Sequence, residues 1–278
     1  MKSPLKSRTR GVRLAVLGAA LALAAAVVPA ATASGATGTD AGRQPAKPTV
    51  VLVHGAWADG SSWQGVVRDL QHDGYTVDVP PNPLRGVASD SAYLASYLKT
   101  VPGPIVLVGH SYGGFVITNA ATGDPDVKAL VYVDAFLPAQ GETLNGLTSQ
   151  FPGSLIGPDA LTFVPSAGGV VDAYLKQAQF PGIMANDLPA RTAAQLAATQ
   201  RPLAASALDE PSGAPAWSSI PSWDVIGTAD HAIPPAAQEF MAERAGSHVT
   251  RIHASHLSMI SHPDTVTDVI ETAAHHTH

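Results

Sequence analysis

Continuous runs of β-branched and aliphatic residues alternate along this chain with stretches whose apolar positions recur every three or four residues. Thr49-Val-Val-Leu-Val53 has the unbroken apolar character of a strand buried on both faces of a parallel sheet. Trp63, Val66, Val67 and Leu70 follow at helical spacing, and Tyr75-Thr-Val-Asp-Val79 is a second strand closed by Pro80, Pro81 and Pro83. Tyr93, Leu94, Tyr97 and Leu98 mark another helix, and Ile105-Val-Leu-Val108 a third strand running into a helix from Gly114. Ala129-Leu-Val-Tyr-Val-Asp134, Trp223-Asp-Val-Ile226 and Val249-Thr-Arg-Ile252 supply three more strands. Strands alternating with helices predict an α/β class fold, a doubly wound and mainly parallel six-stranded sheet whose ligands sit at the strand C-termini.

The alternation fails between Phe136 and Ser222, and a structureless loop of roughly 80 residues is improbable in a compact domain. The Ala-, Gln- and Leu-rich stretch Asp187 to Leu203 reads as helix and Pro152 to Gly169 as irregular. A helical cap insertion over the sheet edge, about residues 138–218, is the resulting expectation.

The N-terminus changes how the charge is read. Lys2, Lys6, Arg8, Arg10 and Arg13 precede an apolar run from Leu14 to Ala30 and the small residues Ala31-Thr-Ala33. That order is the order of a secretory signal peptide over 1–33, with a retained membrane anchor as the alternative. Residues 34–47, rich in Gly, Thr, Ala and Pro, read as a disordered lead-in. Without the first 33 residues, 11 Lys and Arg face 22 Asp and Glu, a formal charge of about −11. Such a surface repels nucleic acid and anionic membranes, so neither is an expected partner. The chain has no cysteine, which excludes a thiolate metal site and a cysteine nucleophile. A secreted protein is the reading that remains.

Its candidate chemistry centres on Gly109-His110-Ser111-Tyr112-Gly113, a G-x-S-x-G lying between a strand signal and a helix signal. This context is that of a tight turn that thrusts a serine hydroxyl out of the sheet, and the following helix directs the Tyr112 N–H back at the site. Serine is a poor nucleophile near neutral pH and needs a base with an orienting acid. Both follow in chain order. Asp230 ends a strand in Gly227-Thr-Ala-Asp230-His-Ala-Ile-Pro234, and His256 lies on the loop after the last strand. Asp134 also ends a strand and stays open as the orienting acid. His253, continuing a strand, and His262, before a proline, compete with His256 as the base.

With His54-Gly55 added, these motifs resemble the α/β-hydrolase superfamily over roughly residues 48–272, and within it the compact esterase and hydroxynitrile lyase-like branch. The resemblance implies an α/β-hydrolase domain over 48–278, with Ser111, Asp230 and His256 catalytic and the N–H groups of Ala56 and Tyr112 as an oxyanion hole. It also implies hydrolysis of carboxylic esters through an acyl-enzyme, a serine chemistry that takes a small-molecule ester and needs no metal or organic cofactor. The plant lyases of the branch carry threonine at the position of Gly55 and lysine at that of Leu257; this chain has neither, which favours an esterase over a C–C or C–N bond-cleaving enzyme. A non-catalytic binding protein on the same fold would not need the three side chains.

Trp57, Phe136 and Leu257 lie next to the motifs and are the candidate substrate-binding residues, with Phe115 and Leu137 as further apolar neighbours. His110 reads as a packing residue and His54 as a brace for the oxyanion loop. His275, His276 and His278 read as a frayed tail rather than a metal site.

Overall fold

The computed structural model describes residues 47–277 of the chain. The signal-peptide reading, and all but the last residue of the lead-in, lie outside the described residues. In order, the first elements are β1 (Thr49–Val53), α1 (Gln64–His72), β2 (Val77–Asp78), α2 (Val87–Leu98), β3 (Ile105–His110), α3 (Tyr112–Ala120) and β4 (Val127–Val133). Next come α4 (Leu144–Ser149), β5 (Leu161–Pro165), β6 (Val171–Leu175), α5 (Phe180–Met184), α6 (Ala190–Thr199) and β7 (Leu203–Ala204). The chain finishes with β8 (Ser222–Gly227), α7 (Pro235–Ala245), β9 (His248–Ile252), α8 (Ser258–Ser261) and α9 (Pro263–His275).

Six strands form one sheet in the order β2-β1-β3-β4-β8-β9, with every pairing parallel. All residues of β1, β3 and β8 are buried, which explains their nearly continuous apolar runs. Helices cover both faces. α1 and α9 pack on each other, while α2 and α3 pair with one another. The strand order reverses on either side of β1, so the loops after β1 and β3 open side by side at the C-terminal rim.

The second strand is shorter than its apolar pattern, because only Val77 and Asp78 pair with β1. The cap also departs from a purely helical insertion. It holds α4, α5 and α6, and in addition a separate antiparallel sheet in the order β5-β6-β7. β5 falls inside the stretch that reads as irregular. Its residues from Thr162 to Pro165 are exposed, so no alternation of buried and exposed positions marks it. α6 is confined to Ala190–Thr199, since Leu203 and Ala204 pair with β6 instead of continuing the helix.

Candidate active site

Ser111 stands between β3 and α3 with φ +54°, a left-handed conformation uncommon for a residue with a side chain. Close packing enforces this turn. A Cβ at Gly109 would lie 2.7 Å from the Gly113 carbonyl oxygen, and one at Gly113 would lie 2.6 Å from that of Val53. Both glycines are therefore needed for the elbow to sit against β1. The Tyr112 side chain is fixed from below, its hydroxyl donating to Asp90 Oδ2 at 2.8 Å.

The loops after β8 and β9 bring two distant side chains to this serine. His256 Nε2 lies 2.8 Å from Ser111 Oγ, and His256 Nδ1 lies 2.8 Å from Asp230 Oδ2. All three residues are buried, yet Ser111 borders an internal cavity. Asp230 is held by four donors: Ala232 and Ile233 N–H on Oδ1, and His256 with the Gln238 amide on Oδ2. Gln238, buried on α7, carries no signal in the sequence that would single it out. Asp134 is turned to other work. Its Oδ1 accepts the Gly227 N–H at 2.8 Å and its Oδ2 the Ser258 N–H at 3.1 Å, so it ties together the strand end before Asp230 and the helix after His256. His253 is exposed, and His262 Nδ1 lies 2.8 Å from the Ser261 hydroxyl, so neither joins this cluster.

A family model described as the alpha/beta hydrolase family matches residues 50–269, most of the chain and all three of these side chains. The chain belongs to the alpha/beta hydrolase family. A carbendazim hydrolyzing esterase from Nocardioides sp. (strain SG-4G) is 36% identical over 110 residues, 35% of this chain and 46% of that protein. The match thus spans about half of that relative's length. An alpha/beta hydrolase, nvfD, of Aspergillus novofumigatus (strain IBT 16806) is 25% identical over 249 residues, 82% of this chain and 97% of its own. Among solved structures, polyneuridine aldehyde esterase superposes with a TM-score of 0.69 at 18% identity, over 81% of this chain and 98% of that one, a likeness of fold.

The surroundings of these side chains set their protonation. Burial pushes the His256 pKa down, but the charge and hydrogen bond of Asp230 and the charge of Asp134 together outweigh it, and the net shift is upward. Asp134 is pushed up to about 7, by burial first and by repulsion from Asp230 second. His54 is pushed down to about 4, chiefly by burial, and so stays neutral. In that form its Nδ1–H donates to the Gly55 carbonyl at 2.9 Å while Nε2 accepts the Asn82 N–H at 3.1 Å. His54 thereby braces the loop carrying Gly55 and Ala56. His110, also held neutral mainly by burial, donates from Nε2 to the His256 carbonyl at 2.9 Å.

Trp57, the next residue of that loop, adopts φ +56° and is tied to the cap. Its N–H donates to the Arg201 carbonyl at 3.0 Å and its indole N–H to the Ala173 carbonyl at 2.9 Å. Ala56 and Tyr112 both face the cavity beside Ser111, and among the described residues neither N–H is bonded to an acceptor. The cavity, about 50 Å³, has walls that include Trp57, Phe136, Leu144, Ile156, Leu203 and Ile233. Asn145 and Thr148 on α4 add polarity, and no lining side chain is charged.

Trp57 and Phe136 thus reach the cavity, whereas Leu257 does not. It lines a separate crevice with Trp57, Phe180 and Ile260, at the start of α8. Phe115 is fully buried against Phe136, with ring centroids 5.4 Å apart, and Leu137 is also fully buried, so they back the wall rather than form it. The C-terminal histidines are not simply a tail. His275 closes α9, and the His276 ring lies 5.3 Å from that of Trp223; His278 lies outside the described residues.

Proposed function

We propose that this protein is a carboxylic ester hydrolase that works through an acyl-enzyme on Ser111, with His256 as general base and acid and Asp230 as its orienting carboxylate. The observation that carries the reading is the unbroken chain from Asp230 Oδ2 through both nitrogens of His256 to Ser111 Oγ, each link 2.8 Å long. In the first half-reaction His256 Nε2 takes the Ser111 proton as Oγ bonds to the ester carbonyl carbon. The resulting oxyanion is met by the Ala56 and Tyr112 N–H groups, each worth about 10²–10³ in rate in comparable sites. The alcohol leaves with the proton from His256. Water then gives a proton to His256 and attacks the acyl carbon; the acyl–Oγ bond breaks as His256 returns the proton to Ser111 Oγ, and the acid is released.

The substrates proposed are neutral, apolar and small to medium. The walls are aliphatic and aromatic, and about 50 Å³ holds only a few water-sized positions, which suits an acetyl or butyryl group better than a long chain. The esterase relative from Nocardioides supports ester hydrolysis in general. An ester hydrolase is favoured over a C–C lyase by Gly55. A Cβ there would lie 2.6 Å from Ser111 Cβ and 2.8 Å from the His110 carbonyl, leaving no space for a threonine. The basic, apolar and small-residue order of residues 1–33 supports export to the extracellular space. Purified protein should hydrolyse p-nitrophenyl acetate and butyrate, and Ser111→Ala should abolish this; equal rates in the variant would remove the proposal.

A further inference from the structure

The loops that present Asp230 and His256 are held from two sides. From beneath, Asp134 bonds Gly227 and Ser258. From above, one short piece of the cap, residues 182–187, reaches both loops. The Asp187 carboxylate accepts the Ser255 N–H on Oδ2 at 3.1 Å and the Ser255 hydroxyl on Oδ1, and the Met184 carbonyl lies 3.1 Å from the same hydroxyl. Ser255 is the residue before His256. The neighbouring Asn186 donates from Nδ2 to the Ala229 carbonyl at 3.0 Å, and the Gly182 carbonyl lies 2.9 Å from His231 Nδ1. Ala229 and His231 flank Asp230.

We propose that residues 182–187 form a clamp that fixes the spacing of the acid and base loops, with Asp187 and Asn186 as positioning residues for the Asp230–His256 pair. The inference rests on the reading of those two residues as catalytic. Neither Asp187 nor Asn186 lines the cavity, so they do not touch substrate. Their bonds reach Ala229 and Ser255, each next to one of the Asp230–His256 pair. Burial raises the Asp187 pKa and its bonds from Ser255 and Ser261 outweigh that, so the carboxylate stays charged at neutral pH. A charged acceptor gripping an N–H and an O–H of one residue is stronger and more directional than a neutral one. The cap would then do more than wall the pocket. Wherever it is seated, the two loops are at their working distance; wherever it lifts, the His256 loop loses its hold through Ser255.

Replacing Asp187 by asparagine removes the charge and one acceptor: the amide oxygen can keep the Ser255 N–H, while the NH2 meets a hydroxyl that must turn its proton to the Met184 carbonyl. Full-length Asp187→Asn and Ser255→Ala, with wild type alongside, are assayed on p-nitrophenyl butyrate. A loosened triad predicts kcat lower by about ten- to a hundredfold. KM should stay within about twofold, and fluorophosphonate inactivation should slow in parallel. The double variant should be little worse than the poorer single one, since both remove the same contact. A lower melting temperature with unchanged kcat would overturn the clamp in favour of plain cap packing. Should Asp187→Asn fail to fold, Ser255→Ala decides alone, because it deletes the hydroxyl bond and keeps the backbone one. If wild type leaves the ester intact, the catalytic reading fails instead. Amide exchange then judges the clamp: faster exchange at residues 228–233 and 253–258 in the variant supports it, and unchanged protection overturns it.

Discussion

Replacing Asp230 by asparagine, with Asp134→Asn beside it, separates two buried carboxylates that follow neighbouring strands close to His256. Every group bonded to Asp230 is a donor, so an amide in its place must turn its NH2 toward one pair of them. Toward Ala232 and Ile233 it would confront two backbone N–H groups that cannot change. Toward Oδ2 it meets Gln238 and His256, and His256 can answer by moving its proton from Nδ1 to Nε2. The NH2 therefore takes the Oδ2 place, and Nε2, now protonated, can no longer accept from Ser111. A wrong tautomer of this kind lowers kcat by roughly 10³–10⁴, equivalent to about 4–5 kcal/mol of barrier. Asp134→Asn sets one NH2 against either the Gly227 or the Ser258 N–H and leaves the tautomer alone. It should cost about 1–3 kcal/mol of stability and less than about tenfold in kcat. Steady-state hydrolysis of p-nitrophenyl butyrate and urea unfolding of both variants measure these effects. A silent Asp230→Asn beside an inactive Asp134→Asn would refute the assignment.

Three further outcomes follow from the same geometry. His256 must be neutral to act as a base and its pKa is raised on balance, so kcat/KM should fall as pH drops through a midpoint above the value of about 6.5 for free imidazole; a pH–rate profile with its limb at or below that value would contradict this. Gly55→Thr should displace Ser111 and lower kcat/KM by about 10²-fold or more without creating mandelonitrile cleavage, since its Cβ has no space beside Ser111 Cβ and the His110 carbonyl. Asp224 is buried with neither oxygen hydrogen-bonded, and burial, then repulsion from Asp134 and Glu239, pushes its pKa well up. A folded pKa above the unfolded one favours the protonated form, so stability is lost as pH rises. Asp224→Asn should therefore gain stability relative to wild type at pH 8, with the gap closing toward pH 4, as thermal melts at both pH values would record; a gap that does not change with pH would contradict this.

The elbow was legible because its cause is local: buried strand, glycines two before and two after, then helix, all within a dozen residues. The sheet was legible for a similar reason, since strands buried on both faces leave unbroken apolar runs. Asp134 and Asp230 are harder to tell apart, because β4 and β8 are neighbours and an aspartate follows each at the same rim, directly after β4 and three residues after β8. What separates them is which donors each carboxylate meets, and those donors come from Gly227, Ser258, Ala232 and Gln238, set by tertiary packing. The cap sheet escaped for a different reason. β5 is exposed from Thr162 onward, so burial leaves no trace in its pattern, although Gly168-Gly169, with φ +79° and +80°, stands where a hairpin needs them. Leu257 lines a different crevice from the one beside Ser111, because adjacency to His256 in sequence does not fix which pocket a side chain borders. Asp187, Asn186 and Gln238 have no local signature, since Asp187 and Asn186 act on loops far along the chain and Gln238 reaches Asp230 from the first turn of α7.

The central claim is that Ser111 is a nucleophile activated by His256. Fluorophosphonate labelling followed by peptide mapping measures this directly. The account predicts one adduct per chain, on the peptide containing Ser111, forming much more slowly in His256→Ala. An adduct on another residue, or labelling of Ser111 at the same rate without His256, would contradict it.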